Sequence, residues 1–216
     1  MPWFYYVARV IVRVLLRLLT RCQVKGRENI PSQGPLLIVA NHLSLVDPPL
    51  LSVSLSRKVI FMAKKELFHF KLIGYFIGSF GAFSVHRGRL DRKAMRQAYQ
   101  VLADGLALVV FPEGTRSLTG WLRPAFSGPA LIAVRSGAPI LPVGIIGTEK
   151  IKGVTWLLRR PRITVNIGQS FYLPPVSSRL TKAELAELTN SIMGHVAELL
   201  PLKYRGDYGG KWIRWH

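Results

Sequence analysis

Six short apolar runs punctuate the chain: 36–40 (LLIVA), 58–63 (KVIFMA), 81–87 (GAFSVHR), 106–111 (LALVVF), 139–145 (PILPVGI) and 163–168 (ITVNIG). Most are apolar without alternation, as expected of strands covered on both faces. Helical patterns fill the gaps. One covers 47–56, directly after the first run. A polar one covers 90–104 and stops at Asp104–Gly105, where glycine ends a helix. A third runs from Pro129 to Arg135, with Pro129 near its first position and Gly137 past its end. Thr181–Lys182–Ala183–Glu184 is a capping box that opens a helix through about Leu200. Strands alternating with helices predict an α/β fold with a mainly parallel central sheet flanked by helices. No internal repeat or low-complexity segment is visible.

The first 24 residues break that rhythm. Arg9, Arg13, Arg17, Arg21 and Lys25 recur at every fourth position, and no acidic residue precedes Glu28. On a helix each step of four advances about 40°, so these side chains make one slowly winding stripe. Around them lie Trp3, Phe4, Tyr5, Tyr6 and a run of Val, Ile and Leu. A transmembrane span would bury Arg9, Arg13 and Arg17, each costing about 2.5–3.5 kcal/mol near the bilayer centre. A helix lying in the membrane–water interface avoids that cost. A secretory signal is disfavoured because its apolar core lacks charges. Packing of the helix on the protein's own core is the competing reading. The expected organisation is an N-terminal amphipathic membrane-interface helix over 1–24, contacting lipid through Trp3, Phe4, Arg9, Arg13 and Arg17, followed by one domain over 25–216. The tail 211–216 mixes Trp212 and Trp215 with Lys211 and Arg214, which suits either an interface or a packed terminus.

Charge strengthens this picture. Lys and Arg number 30 against 11 acidic residues, a formal net charge of +19 in 216 residues. Such a balance predicts an anionic partner. A nucleic-acid module is disfavoured, since the arginines interleave with long aliphatics and no nucleic-acid-binding signature is present. An anionic membrane surface fits better. The single cysteine, Cys22, excludes an internal disulfide.

Candidate chemistry sits just after the apolar runs. "NHLSLVDPP" (41–49) follows the first and carries His42 and Asp47. Alone, it reads better as a polar turn with Asp47 capping a helix. "FPEGTRS" (111–117) closes another run; Gly114 permits a tight turn, and Arg116 can grip a phosphate with parallel hydrogen bonds. Alone, it is a polar turn with an Arg116–Glu113 pair. Arg87 stands past the run that begins at Gly81. His42, Arg87 and Arg116 thus follow three different strands, and open α/β sheets bind ligands at the carboxyl ends of their strands. One shared pocket explains the recurrence better than three unrelated turns.

Taken together, "NHLSLVDPP", "GAFSVHRG", "FPEGTRS" and "ILPVGI" resemble, in order and spacing, the four blocks of the glycerolipid acyltransferase family; "AKKELF" (63–68) is similar to the stretch between its first two blocks. The resemblance covers about 25–170. It implies an acyltransferase catalytic domain that moves a fatty acyl group from acyl-CoA or acyl carrier protein to the free hydroxyl of lysophosphatidic acid, giving phosphatidic acid. His42 is then the general base and Asp47 its orienting partner. Arg87, Glu113, Gly114, Thr115 and Arg116 hold the glycerol phosphate. Neither a cofactor nor a metal is implied, and the acyl thioester is a co-substrate. Direct transfer is expected, because a thioester is already activated and Ser44 lacks the G-x-S-x-G elbow of a nucleophile. The implied location is monotopic, on the cytoplasmic face of the plasma membrane. Other acceptors (another lysolipid or glycerol-3-phosphate) and a non-catalytic lipid-binding role are the alternatives.

Overall fold

A computed structural model describes residues 4–66, 77–78, 82–86, 91–174 and 180–209. Seven strands form a single sheet: β1 (Arg21–Lys25), β2 (Leu36–Ala40), β3 (Val59–Lys64), β4 (Phe83–Val85), β5 (Ala107–Val110), β6 (Ile140–Ile146) and β7 (Arg162–Ile167). Their order across the sheet is β1-β7-β6-β2-β5-β3-β4. Among these seven strands β6–β7 is the antiparallel pair, and the other neighbours run parallel. The helices are α1 (Phe4–Leu19), α2 (Asp47–Ser54), α3 (Arg92–Ala103), α4 (Gly128–Ser136), α5 (Trp156–Arg159, one turn) and α6 (Lys182–Glu198).

The continuous apolar runs follow from two covered faces. Along β2, Leu37 and Val39 join a cluster with Leu102 of α3, Ile132 of α4 and Val196 of α6. Leu36, Ile38 and Ala40 point the other way, into a cluster with Leu50 and Leu51 of α2 and Leu16 of α1. All five β2 side chains are fully buried. The predicted α/β architecture with a mainly parallel, helix-flanked sheet is therefore present. Asp91 caps α3 by accepting from the N–H groups of Lys93 and Ala94, and the Thr181–Glu184 capping box is formed as the sequence indicated.

The structure differs at the N-terminus. The helix stops at Leu19, and Arg21, Cys22 and Lys25 belong to strand β1, which pairs in parallel with β7. The four-residue spacing carried the predicted helix, 1–24, five residues too far. Arg21 and Lys25 are two exposed residues of an edge strand rather than members of a helical stripe. The tail 211–216 and residues 87–90 lie outside the described residues.

Candidate active site

Each residue of the first motif has a fixed place. Asn41 continues β2 by one residue, and its side chain bonds β6 twice: Nδ2 donates to Ile145 O at 2.9 Å and Oδ1 accepts from Ile145 N at 2.7 Å. This clamp holds the end of β2 where His42 begins. His42 O then accepts from Ser117 N at 2.7 Å, and the ring stacks on Phe111 with centroids 4.3 Å apart.

Asp47 does not act as a helix cap. It opens α2, but the next two residues are Pro48 and Pro49, which have no N–H to offer. Its carboxylate turns back instead. Oδ2 accepts from Leu43 N at 2.7 Å, from Ser44 N at 2.8 Å and from His42 Nδ1 at 2.8 Å. Asp47 is wholly buried and His42 nearly so, at 6% exposed. A carboxylate oxygen holding two backbone donors can only accept from the imidazole, so Nδ1 carries the hydrogen and Nε2 is left as the basic nitrogen. The arrangement can take a proton from a substrate hydroxyl and stabilise the resulting imidazolium.

The third motif supplies the opposite wall. Glu113 is buried, and both its oxygens accept backbone N–H groups: His42 N at 2.9 Å and Arg123 N at 3.0 Å. Glu113, expected at the acceptor phosphate, here straps the loop after β2 to the loop after β5. Its partners are main-chain groups, which no side-chain pattern reveals. Gly114 follows at φ 65°, and a Cβ there would lie 2.5 Å from Phe126 Cε2, so both backbone and space require glycine. Thr115 and Arg116 are exposed on the same loop, open to a ligand. Arg87 lies outside the described residues. Beyond Phe111 a largely apolar cavity of about 330 Å³ extends between Met62, Val85, Met95, Phe126 and Ile132.

Burial pushes the Glu113 carboxyl up to about 7, against the downward pull of its two N–H donors. A free glutamate titrates near 4.5. Because the folded value is the higher one, the folded chain keeps this proton at pH values where the unfolded chain has lost it. The stabilisation is complete below 4.5 and is lost as pH rises to about 7, a swing of about 3 kcal/mol. Glu113→Gln should abolish that swing, at a constant cost of about 1–3 kcal/mol for one N–H left without its acceptor. The difference in urea midpoint between wild type and variant, followed across this window, is the measurement; parallel curves would reject the assignment.

Of the proposed membrane contacts, Arg13 and Arg17 are exposed on α1. Arg9 is tied to the fold: its Nη2 donates to Leu55 O at 3.1 Å, and its guanidinium lies 5.6 Å from the centre of the Tyr5 ring. Trp3 lies outside the described residues, and Phe4 begins the helix. Tyr5, Ala8 and Leu16 face inward, while Tyr6, Val7, Val10, Ile11, Val14, Leu15 and Leu18 are exposed along one apolar face. Among the described residues no helix is long and apolar enough to cross a membrane.

A family model described as acyltransferase matches residues 21–146. The 1-acyl-sn-glycerol-3-phosphate acyltransferase of Bacillus subtilis is 29% identical over 189 residues, 87% of this chain and 92% of that protein. The one from Streptococcus pneumoniae is 30% identical over 169 residues, 77% of this chain and 61% of its own. The chloroplastic BAT2 enzyme of Brassica napus is 28% identical, and the match spans only 50% of that longer protein. The crystal structure of the 1-acyl-sn-glycerophosphate acyltransferase PlsC from Thermotoga maritima superposes with a TM-score of 0.68 at 28% identity, covering 90% of this chain and 79% of that one. The four blocks, the buried His–Asp pair at the end of β2 and these matches lead to one conclusion: the chain belongs to the acyltransferase family.

Proposed function

We propose that this protein transfers a fatty acyl group from an acyl thioester, acyl-CoA or acyl carrier protein, to the free hydroxyl of lysophosphatidic acid, yielding phosphatidic acid for phospholipid synthesis. The observation that carries the reading is the 2.8 Å contact between His42 Nδ1 and the buried Asp47 Oδ2. The names of the relatives support the choice of acceptor. In the proposed reaction His42 Nε2 takes the hydroxyl proton as the oxygen attacks the thioester carbonyl. The tetrahedral intermediate collapses with cleavage of the C–S bond, and the imidazolium returns its proton to the departing sulfur. No acyl-enzyme forms. Asp47 holds the ring and offsets its charge during the step. Arg116, with Thr115 and the Gly114 backbone, grips the acceptor phosphate, with Arg87 as a second cation. The strap at Glu113 keeps that loop in register with His42, and such positioning removes several kcal/mol from the barrier. The apolar cavity beyond Phe111 receives part of an acyl chain.

The apolar face of α1, edged by Arg13 and Arg17, lies in the headgroup region of an anionic leaflet, so attachment is monotopic, on the cytoplasmic face of the plasma membrane. The test of acceptor choice is a panel. Purified protein is given lysophosphatidic acid, lysophosphatidylcholine or glycerol-3-phosphate with acyl-CoA or acyl carrier protein as donor, and products are read by mass spectrometry. Lysophosphatidic acid should lead lysophosphatidylcholine by about 10–100-fold, the worth of a charged hydrogen bond to an unblocked phosphate. Equal transfer to the choline lipid would remove this acceptor assignment.

A further inference from the structure

A second concave site lies apart from the His–Asp pair. Arg21, Lys150, Trp156, Arg159, Arg160, Pro161 and Arg162 line a crevice of about 470 Å³. Five of its lining residues are cations and none is acidic. Among the described residues the two ion pairs are His42–Asp47 and Lys64–Glu66, so none of the five cations is neutralised by a carboxylate there. The adjacent acid, Glu149, is turned away: its Oε1 accepts from Tyr204 Oη at 2.7 Å. Five like charges around one hollow repel one another unless an anion sits among them.

The segment that carries Trp156 and Arg159 also exposes apolar side chains. Val154, Leu157 and Leu158 are 76%, 41% and 92% exposed. A leucine with almost all its surface in water, beside arginines, has the composition of a segment that enters the headgroup–acyl boundary. Arg160 has φ 41°, the one positive value at a non-glycine residue among those described. This left-handed residue ends the one-turn helix α5, a conformation that glycine adopts more readily than arginine. Its Nη2 donates to Arg17 O at 3.2 Å in the last turn of α1, and Arg21 N donates to Pro161 O at 3.0 Å. The crevice is therefore continuous with the end of α1.

Strand register fixes where this surface faces. His42 leaves β2 at the level of Ile145 on β6. Ile146 pairs with Thr164 of β7, and Arg162 pairs with Arg21 of β1. The crevice thus stands at the same end of the sheet as the His–Asp pair, two to three strands along, or about 10–14 Å at ordinary strand spacing.

We propose that this crevice binds the phosphate of an anionic bilayer phospholipid while Val154, Leu157 and Leu158 enter the leaflet, making a second membrane contact besides α1. The inference rests on the membrane-attached reading above. Two contacts, joined where Arg160 meets the last turn of α1, fix orientation as well as attachment, so the end of the sheet that carries the His–Asp pair is held towards the layer that supplies its acceptor.

Flotation of the full chain on phosphatidylcholine vesicles, with and without phosphatidylglycerol, is the test. Neutralising Arg159 and Arg162 together (R159Q/R162Q) should lower partition onto the phosphatidylglycerol vesicles roughly 30-fold and leave the phosphatidylcholine value unchanged. Arg160→Gly suits the left-handed backbone and so keeps the fold; it should cost roughly fivefold on the same vesicles. Val10→Ser with Val14→Ser on α1 should instead weaken partition onto both vesicle types. Transfer to a short-chain acceptor dissolved without vesicles should be unchanged in R159Q/R162Q. Wild-type partition of R159Q/R162Q and Arg160→Gly overturns the crevice while leaving α1 attachment standing, and so does equal loss on both vesicle types. A crevice that binds duplex DNA, with DNA affinity and not vesicle affinity lost in R159Q/R162Q, is assigned to nucleic acid instead. Failure of the membrane reading itself is distinct: the wild-type chain then stays in solution with every vesicle.

Discussion

His42→Ala should retain the fold and lose about 10²–10⁴-fold in turnover, the usual worth of a positioned general base. The fold survives because Asp47 keeps its two backbone donors, Leu43 N and Ser44 N, so no buried carboxylate is stranded. Asn41, which fastens β2 to β6, is untouched. The ring's stacking on Phe111 is lost, a change of about 0.5–1.5 kcal/mol. The measurement pairs turnover on lysophosphatidic acid with thermal melting. A melting point near that of wild type with a collapsed rate is the expected result. Undiminished turnover would remove His42 from the chemistry.

Changes at Asp47 separate structure from catalysis. Asp47→Ala removes the fully buried acceptor shared by three N–H groups. Breaking a buried pair in this way costs about 3–5 kcal/mol, so this variant should be both unstable and inactive, which by itself proves little about mechanism. Asp47→Asn is the sharper experiment. Its amide oxygen can still accept from Leu43 and Ser44, and the loop should hold. What disappears is the negative charge that orients Nδ1–H and offsets the imidazolium. Turnover should fall to nearly the level of His42→Ala while the melting temperature moves far less than in Asp47→Ala. If Asp47→Asn keeps full turnover, Asp47 is a loop-holding residue and the mechanism needs another partner for His42.

Much of this was legible in the residues. The apolar runs gave β2, β3, β5, β6 and β7 to within a residue or two: β2, β5 and β6 are buried on both faces, which leaves a dense local signal, and β7 keeps one buried face through Ile163, Val165 and Ile167. Thr181 and Glu184 announced α6 because a capping box is itself local chemistry. Strand β1 was missed for the converse reason. Arg21 to Lys25 continues the spacing of α1, and what makes it a strand is pairing with β7, about 140 residues away. The site divides along the same line. His42 and Asp47 are five residues apart, and their contact could be anticipated. The part played by Glu113 could not, since both its partners are backbone amides.

That division has a consequence for how such enzymes diversify. Glu113 fastens the base-bearing loop at the root of the third motif, while the exposed cation at Arg116 sits three residues further on, past the turn at Gly114. Ser117 ties the same loop to His42 on the far side, so Thr115 and Arg116 stand exposed between two fastenings, and substitutions confined to those two side chains leave both ties to His42 in place.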